Sequence, residues 1–471
     1  MDAAPPGGPK QDAPVTWGSF YASVRGYPLA AFAICLVGVS LENMDQAFFA
    51  FVLPQISQEL GWSVVERGQY LTLTFTLAGM SIAALGVLAD RIGRKKVFSA
   101  SMLIGSAFVA AMYWAHGTIP MVVLRTLGFA MGGIMSPVVG TIVVEESPPR
   151  YRGLLSGVLQ IGYPIGWFLA SQATVFVMGR WSWREVFFVS LLSIPYMWVI
   201  QRYLRETGAF LRAKAARDLA DSEGRSVEAA SRRPAFRELW APAMRFRTVV
   251  LFLGEYFHVF AYGSTILLTA YFQEHRKWPA TTSVSLVGWS YGIGALGYVL
   301  AALVGEFVMK RRNTIILWAQ LGSIAFAGMI WATTSFWPTA IFYCLMTIFF
   351  YGATAVKFTF IAENFPTRLR ATGVAFSGSL AVNLGVATGP LALSYAVQLF
   401  GWNVAYTLCG ILPIFASGLF FLLLPAEPLG IREDELAPPG PEAPAPAEPP
   451  RPGSQRRDVG ASAGPGTPRR R

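Results

Sequence analysis

Twelve runs of mainly apolar residues, each close to or above the ~20 that a helix needs to cross a bilayer, dominate this chain and limit what it can fold into. They fall at about 29–53, 68–89, 96–115, 119–144, 154–178 and 184–204. After a polar central stretch they resume at about 246–272, 283–308, 314–334, 337–361, 371–399 and 402–424. Inside a bilayer every backbone N–H and C=O must be paired within the chain, so runs of this length read as helices. The pattern predicts an all-α integral membrane protein with 12 transmembrane helices in two pseudo-symmetric six-helix bundles. Composition agrees. Of 471 residues, 54% are hydrophobic and 14% charged, against roughly a quarter charged in soluble chains. A water-soluble globular protein is excluded.

The domains expected are an N-terminal tail (1–27), a first bundle (28–204), a central loop (205–245), a second bundle (246–425) and a C-terminal tail (426–471). The first segment holds Pro5, Pro6 and Pro9 and no apolar core behind a basic start. No cleavable signal is expected, and the first apolar run acts as its own insertion signal. The central loop mixes both charge signs at helical spacing, as short helices at the membrane face would. The Pro/Gly/Ala-rich tail reads as disordered.

Net charge is +11, but its distribution points away from nucleic acid. Of 38 basic residues, 31 lie in the tails, the central loop and the connections near 90–96, 145–153, 310–312 and 368–370. The alternate connections carry five: Arg67, Arg180, Arg184, Arg276 and Lys277. The positive-inside bias places both termini in the cytoplasm, and an even number of crossings requires the termini to share a side. An Ala/Arg/Gly-rich chain of this kind suits a bacterial plasma (inner) membrane. The partners expected are a small-molecule solute and the lipid bilayer, and a monomer is expected.

The two halves repeat. Asp90, Arg94 and Lys95 return as Glu306, Lys310 and Arg311; Glu146, Pro149 and Arg152 return as Glu363, Pro366 and Arg370; Trp62 returns as Trp278. All keep an offset near 216. Duplicated six-helix units build transporters whose solute site lies at the interface of the repeats, near mid-membrane.

The segment GVLADRIGRKKV, with Gly86, Asp90, Arg91, Gly93, Arg94 and Lys95, resembles the best-known signature of the major facilitator superfamily. LRTLGFAMGGIMSP, containing Arg125, is similar to its second motif. EESPPRYRG and AENFPTRLRATG resemble the loops of its sugar, metabolite and aromatic-acid proton symporter branches. The resemblance covers about residues 28–425 and implies two bundles around a central cavity, working by alternating access.

Charges inside a span are expensive and mark function by default. Glu42 and Asp45 lie three apart in the first run and share a helix face. In the symporter branches a span-one aspartate and the span-four arginine serve proton coupling and anion binding, and Asp45 and Arg125 match those positions. A carboxylate in a low-dielectric cavity gains proton affinity from desolvation and loses it beside a cation, so solute arrival can load or release H⁺. Asp45 is the expected proton carrier; a static ion pair with Arg125 is the bland alternative. Glu255 and His258 in span seven form a second candidate protonatable pair, unless Glu255 snorkels to water. Lys357 in span ten is expected either to flank the cavity opposite Arg125 and bind a solute carboxylate or to pair with Glu363. Gln160, Tyr262 and Asn383 can line the cavity, and Phe48, Phe49, Phe257, Phe349 and Phe350 can stack on an organic solute.

The Gly-rich turn at 86–95 lets two helices approach, and its carboxylate beside Arg and Lys can form a lock that is made in one conformation and broken in the other. The gating set expected is Gly86, Asp90, Arg91, Gly93, Arg94, Lys95, Glu146 and Arg152, with Glu306, Lys310, Glu363 and Arg370 in the second half. Cys35, Cys344 and Cys409 sit in apolar runs, and only three histidines are present, so no metal site or disulfide is expected. No GxxxxGK[ST], HExxH or GxSxG motif appears, which disfavours an ATP-driven pump or a hydrolase. No cofactor is expected beyond the proton as coupling ion. The function expected is proton-coupled uptake of a small organic anion; span five lacks the GxxxGPxxGG pattern of proton-driven drug exporters. The alternatives are proton-antiport efflux of an amphipathic drug or natural product, and a transporter-like sensor.

Overall fold

The computed structural model describes residues 17–148, 151–208, 210–212, 214–215 and 233–426; the side chains of 17–20, 82–91, 154, 233–235 and 367 lie outside that description. The tail from 427 and most of the central loop therefore fall outside the described residues.

The described residues are helical, with no strand among them. Eleven helices are long and apolar enough to cross a bilayer: α1 (Tyr27–Leu60), α3 (Arg94–Trp114), α4 (Thr118–Glu146), α5 (Leu155–Met178), α6 (Trp183–Tyr203), α7 (Pro242–His275), α8 (Ala280–Val308), α9 (Arg311–Ala332), α10 (Phe336–Glu363), α11 (Arg368–Phe400) and α12 (Trp402–Leu422). The twelfth, α2 (Val64–Ile92), has 29 residues, enough for about 43 Å of helix at 1.5 Å per residue. Short helices Trp17–Val24 and Arg233–Glu238 precede α1 and α7.

Helix ends follow local chemistry. Gly61 closes α1 in the left-handed region at φ 70°, its N–H bonded back to Ser57, as a C-terminal glycine does without a Cβ penalty. Gly93 (φ 112°) is the whole connection between α2 and α3, and Gly401 (φ 78°) that between α11 and α12.

The repeat is visible in helix bounds. Val64 and Ile92 bound α2 as Ala280 and Val308 bound α8, both 216 residues on. The connection Met309–Lys310 is one residue longer than Gly93, and from there Arg94 corresponds to Arg311 and Glu146 to Glu363 at 217. The halves differ in one respect: each helix of the second bundle contains a wide π turn, and none occurs among the described residues of the first. Such turns insert a residue into the helical ladder and often mark functional positions.

The halves meet along α2–α11 and α5–α8. Small residues permit it: a Cβ on Gly68 of α2 would lie 2.8 Å from the Pro390 carbonyl, and one on Gly288 of α8 would strike the Ser171 side chain. Within the second bundle, Gly385 and Gly389 bring α11 onto the α7 backbone at Phe260, the close approach that small residues allow in membranes.

The two ends of the body are unlike. At the end opposite the basic connections, Arg67 of α2 pairs with Glu274 of α7. There Gln55 Nε2 also donates to Gln273 Oε1 (3.0 Å) and Thr72 Oγ1 to the Ala387 carbonyl (2.5 Å). One continuous apolar cluster spans both halves there, from Phe48–Ile56 and Trp62 to Ile266–Phe272. A second cluster, around Cys35, Phe98, Met135 and Ile200, belongs to the first half alone. The body is sealed at one end; at the other the halves touch where Gly157 lies against the Ala355 carbonyl and part beside that contact.

Candidate functional site

The divided end leads to the middle of the molecule. A cavity of about 570 Å³ runs from Glu145 at the basic end to Gln160 and Val39. It shares those last two walls with or adjoins a central cavity of about 390 Å³ lined by Glu42, Gln160, Glu255, His258, Tyr262 and Asn383 among others. Gln160, Tyr262 and Asn383 thus face one space, as do Glu42, Glu255 and His258 from the two halves.

Glu42 stands near the middle of α1, 15 residues after Tyr27, which is roughly 22 Å along a helix. Its carboxylate accepts from Asn43 Nδ2 (2.8 Å). It has room because α4 carries Gly132 opposite: a Cβ there would lie 2.4 Å from Glu42 Oε1 and 2.6 Å from Gln46 Nε2. Gly132 of LRTLGFAMGGIMSP thus makes space for polar groups between α1 and α4.

Arg125 lies in a side chamber of about 110 Å³ that shares Glu42, Asn43, Tyr163 and Tyr262 with the central cavity. Arg125 is 4% exposed. Nη1 donates to Gln46 Oε1 (2.9 Å), and Nε has no hydrogen-bond partner. Phe49 and Phe129 hold the carbon of the guanidinium 4.9 and 5.3 Å from their ring centres, cation–π distances that steady a charge without neutralising it. Among the described residues no carboxylate lies within ion-pair distance. Arg125 is a buried cation held by neutral groups.

Asp45 is elsewhere. It turns toward α3, accepts from Ser106 Oγ (2.6 Å), and its Oδ1 is unpaired. The space beside it is about 10 Å³, the room of one water. The Asp45–Arg125 pair is not formed. Glu42 lines all three spaces and is the α1 carboxylate that faces the central cavity; Asp45 stands one helical turn behind it.

Lys357 likewise departs from expectation. It is fully buried and pairs with Glu255 (Nζ–Oε2 2.9 Å, side chains 0% and 1% exposed). It neither lines the cavity opposite Arg125 nor meets Glu363, and Glu255 does not snorkel. His258 packs its ring on Phe350 at 4.6 Å. Phe49 and Phe350 therefore serve Arg125 and His258 as packing partners.

A band of tyrosines crosses between the halves beside the cavity. Tyr163 OH of α5 hydrogen-bonds with Tyr262 OH (2.7 Å) and Tyr291 OH (3.3 Å), and Tyr291 OH with Tyr351 OH (3.0 Å). Trp167 stacks on Tyr291 at 4.6 Å.

At the basic end, Arg94 pairs with Glu145 (3.0 Å). Glu206 Oε1, not singled out from the sequence, accepts from the backbone N–H of Arg94 (2.9 Å) and Lys95 (3.3 Å). It caps α3 where the helix dipole favours an anion, in the space that Gly93 leaves. Lys95 Nζ donates to the Gln201 carbonyl (2.8 Å). In the second half Arg311 holds both Glu306 and Glu363; Lys310 is the residue before α9. Arg152 and Arg370 donate to the Ser147 and Ala362 carbonyls (3.3 and 3.2 Å). All these contacts stay within one half. The side chains of Asp90 and Arg91 lie outside the described residues, and Gly86 is part of the helical backbone of α2.

Gln46, Ser106, Gly132 and Glu206 are the site residues that sequence reasoning missed. Gln46 alone left a signal, four residues after Glu42 and so on the same face.

The family model described as Major Facilitator Superfamily matches residues 35–378 and 281–459. The chain belongs to the major facilitator superfamily. As a member it is a multi-pass membrane transporter and not an enzyme. The niacin transporter NiaP of Acinetobacter baylyi is 24% identical over 398 residues, 79% of this chain and 89% of that protein. The gallate transporter of Pseudomonas putida is 26% identical over 452 residues, 88% and 96% of the two chains. The cis,cis-muconate transport protein of A. baylyi is 24% identical, covering 81% and 92%. Among solved structures the D-xylose-proton symporter shares the superfamily fold at TM-score 0.65 and 17% identity, over 86% of this chain and 99% of its own.

Proposed function

We propose that the protein is a proton-coupled symporter for the uptake of a small organic anion carrying an aromatic or conjugated body and a carboxylate. One observation carries the reading: Arg125, a buried guanidinium with no carboxylate partner among the described residues, opens onto a chamber walled by Phe129, Tyr163, Trp167 and Tyr262. A buried unpaired charge is costly, and a solute carboxylate in bidentate contact would relieve that cost. The aromatic walls suit a flat solute. Relatives are named as transporters of niacin, gallate, cis,cis-muconate and 4-hydroxybenzoate, all of them acids of that shape.

Glu42 and Asp45 supply a coupling proton. Glu42 meets the cavity and stands beside Arg125's chamber, and Asp45 holds the proton behind it with Ser106. The basic connections support cytoplasmic termini in a bacterial inner membrane, so the divided end opens to the cytoplasm and the structure is inward-facing. Arg94, Glu145, Glu206 and Arg311 brace the cytoplasmic ends of the halves as they rock.

Counterflow in proteoliposomes with a panel of acids tests this. Entry of an aromatic acid with alkalinisation of the outside medium supports symport. Entry without any pH change removes the proton, and extrusion of an amphipathic cation instead makes the protein an exporter.

A further inference from the structure

The second half carries charges that the N-terminal site does not use. Glu255 and His258 of α7 line the same 390 Å³ cavity as Glu42, and Lys357 of α10 stands behind Glu255 in an ion pair of 2.9 Å. By the repeat, His258 is the counterpart of Glu42, 216 residues on. Structural need does not explain the arrangement, because a buried pair seldom stabilises a membrane helix more than apolar packing does. It is also incomplete: His258 Nδ1 has no hydrogen-bond partner although the ring is 2% exposed.

Resting on the symport reading above, we propose that Glu255, Lys357 and His258 form a second proton-exchanging site, so that each solute anion enters with two protons rather than one. The unprotonated pair has no net charge. A proton entering from the cavity bonds to the Glu255 carboxylate, His258 Nδ1 offering a stopping point one helical turn away, and leaves the group with the single positive charge of Lys357. A solute anion in the same cavity favours that charge, and by reciprocity the charge favours the anion. The protonated carboxyl releases Lys357 from its partner, which the next conformational step can use.

Every neighbouring element is compatible. From α10 come Lys357 and Tyr351, from α8 Tyr298, from α7 itself His258 and Tyr262, and across the cavity Glu42 of α1. α11 presents Asn383 with Val382 and Val386, and α12 packs Phe421 on Gly254. No second basic group crowds the site from α8, α11 or α12 among the residues lining it.

The test compares the wild-type transporter with the paired variant Glu255→Gln, Lys357→Met, which leaves neither charge bare. In proteoliposomes the 4-hydroxybenzoate gradient at which net flux reverses is measured at set membrane potentials. This gradient is a ratio and does not depend on how fast a variant turns over. Two protons with a monoanion carry one net charge, so the wild-type reversal gradient should move tenfold for every ~59 mV. The paired variant, carrying one proton, should not move. A wild-type reversal gradient insensitive to potential, or equal sensitivity in both proteins, overturns the proposal.

A second measurement needs no solute and separates this proposal from the choice of substrate. Infrared difference spectra of the purified transporter across acid to neutral pH should show a protonated-carboxyl band that the paired variant lacks. An unaltered band overturns the second site even if 4-hydroxybenzoate is not carried. Absence of counterflow with the band present refutes only the solute reading.

Discussion

Arg67 at the start of α2 and Glu274 near the end of α7 are paired across the two halves, at the end of the molecule opposite the basic connections. With Gln55–Gln273 and the Thr72 hydroxyl on the Ala387 carbonyl, this contact holds the halves together on one side of the central cavity while they part on the other. It is a latch of the present conformation, and must open if the solute is to exchange on that side.

Reversing one charge should therefore loosen the sealed end. In a protein with Cys35, Cys344 and Cys409 replaced by Ala and a single Cys at Thr72, Arg67→Glu should speed labelling by an impermeant maleimide. A partly exposed pair worth ~1–2 kcal/mol shifts a two-state population by about 5–30-fold, so several-fold faster labelling is expected. Adding Glu274→Arg should restore the slow rate. Equal labelling in all three proteins would leave the pair without a role in closure.

Gly132→Ala places a methyl 2.4 Å from Glu42 Oε1 and 2.6 Å from Gln46 Nε2. Both side chains must shift, and Gln46 is the group that holds Arg125. The expected outcome is solute affinity at least tenfold weaker with a folded, monodisperse protein, read by binding titration. Unchanged affinity would mean that α4 yields to the methyl and the spacing has no bearing on the site.

Asp45→Asn keeps the shape that Ser106 holds but removes the ionisable group. Accumulation driven by a pH gradient should fall to what the Glu255 site alone can drive, while exchange of labelled for unlabelled solute continues. Undiminished accumulation would place the proton of the first site on Glu42 alone.

Glu206→Ala uncaps α3. Loss of an N-terminal cap costs ~0.5–2 kcal/mol, so thermal inactivation should occur at lower temperature. Because the contact lies within one half, labelling at Thr72→Cys should not change. Faster labelling would show that the cap also biases the rocking equilibrium.

Much of this molecule is written in its sequence, for definite reasons. Span number was legible because hydrocarbon demands long apolar runs, and the duplication because Asp90/Glu306 and Trp62/Trp278 keep their spacing. Glu42, Asp45 and Arg125 stood out because charge is rare in such runs. Partner choice did not. In helices that are apolar on all sides, periodicity does not say which way a residue faces, so Asp45 turned out to meet Ser106 and Lys357 to meet Glu255. The latch escaped notice because Arg67 and Glu274 lie at span ends, where charges are unremarkable. Gln46 and Gly132 became meaningful only once α1 and α4 were seen to touch.

The central claim is that Arg125 is the cation that receives the solute carboxylate. The direct measurement is calorimetric binding of 4-hydroxybenzoate and its uncharged analogue 4-hydroxybenzamide to the wild-type protein and to Arg125→Gln. A charge-assisted contact is worth ~1.5–3 kcal/mol, so the acid should lose roughly 10–100-fold in affinity while the amide binds both proteins alike. Equal losses for acid and amide, or no loss for either, would contradict the account.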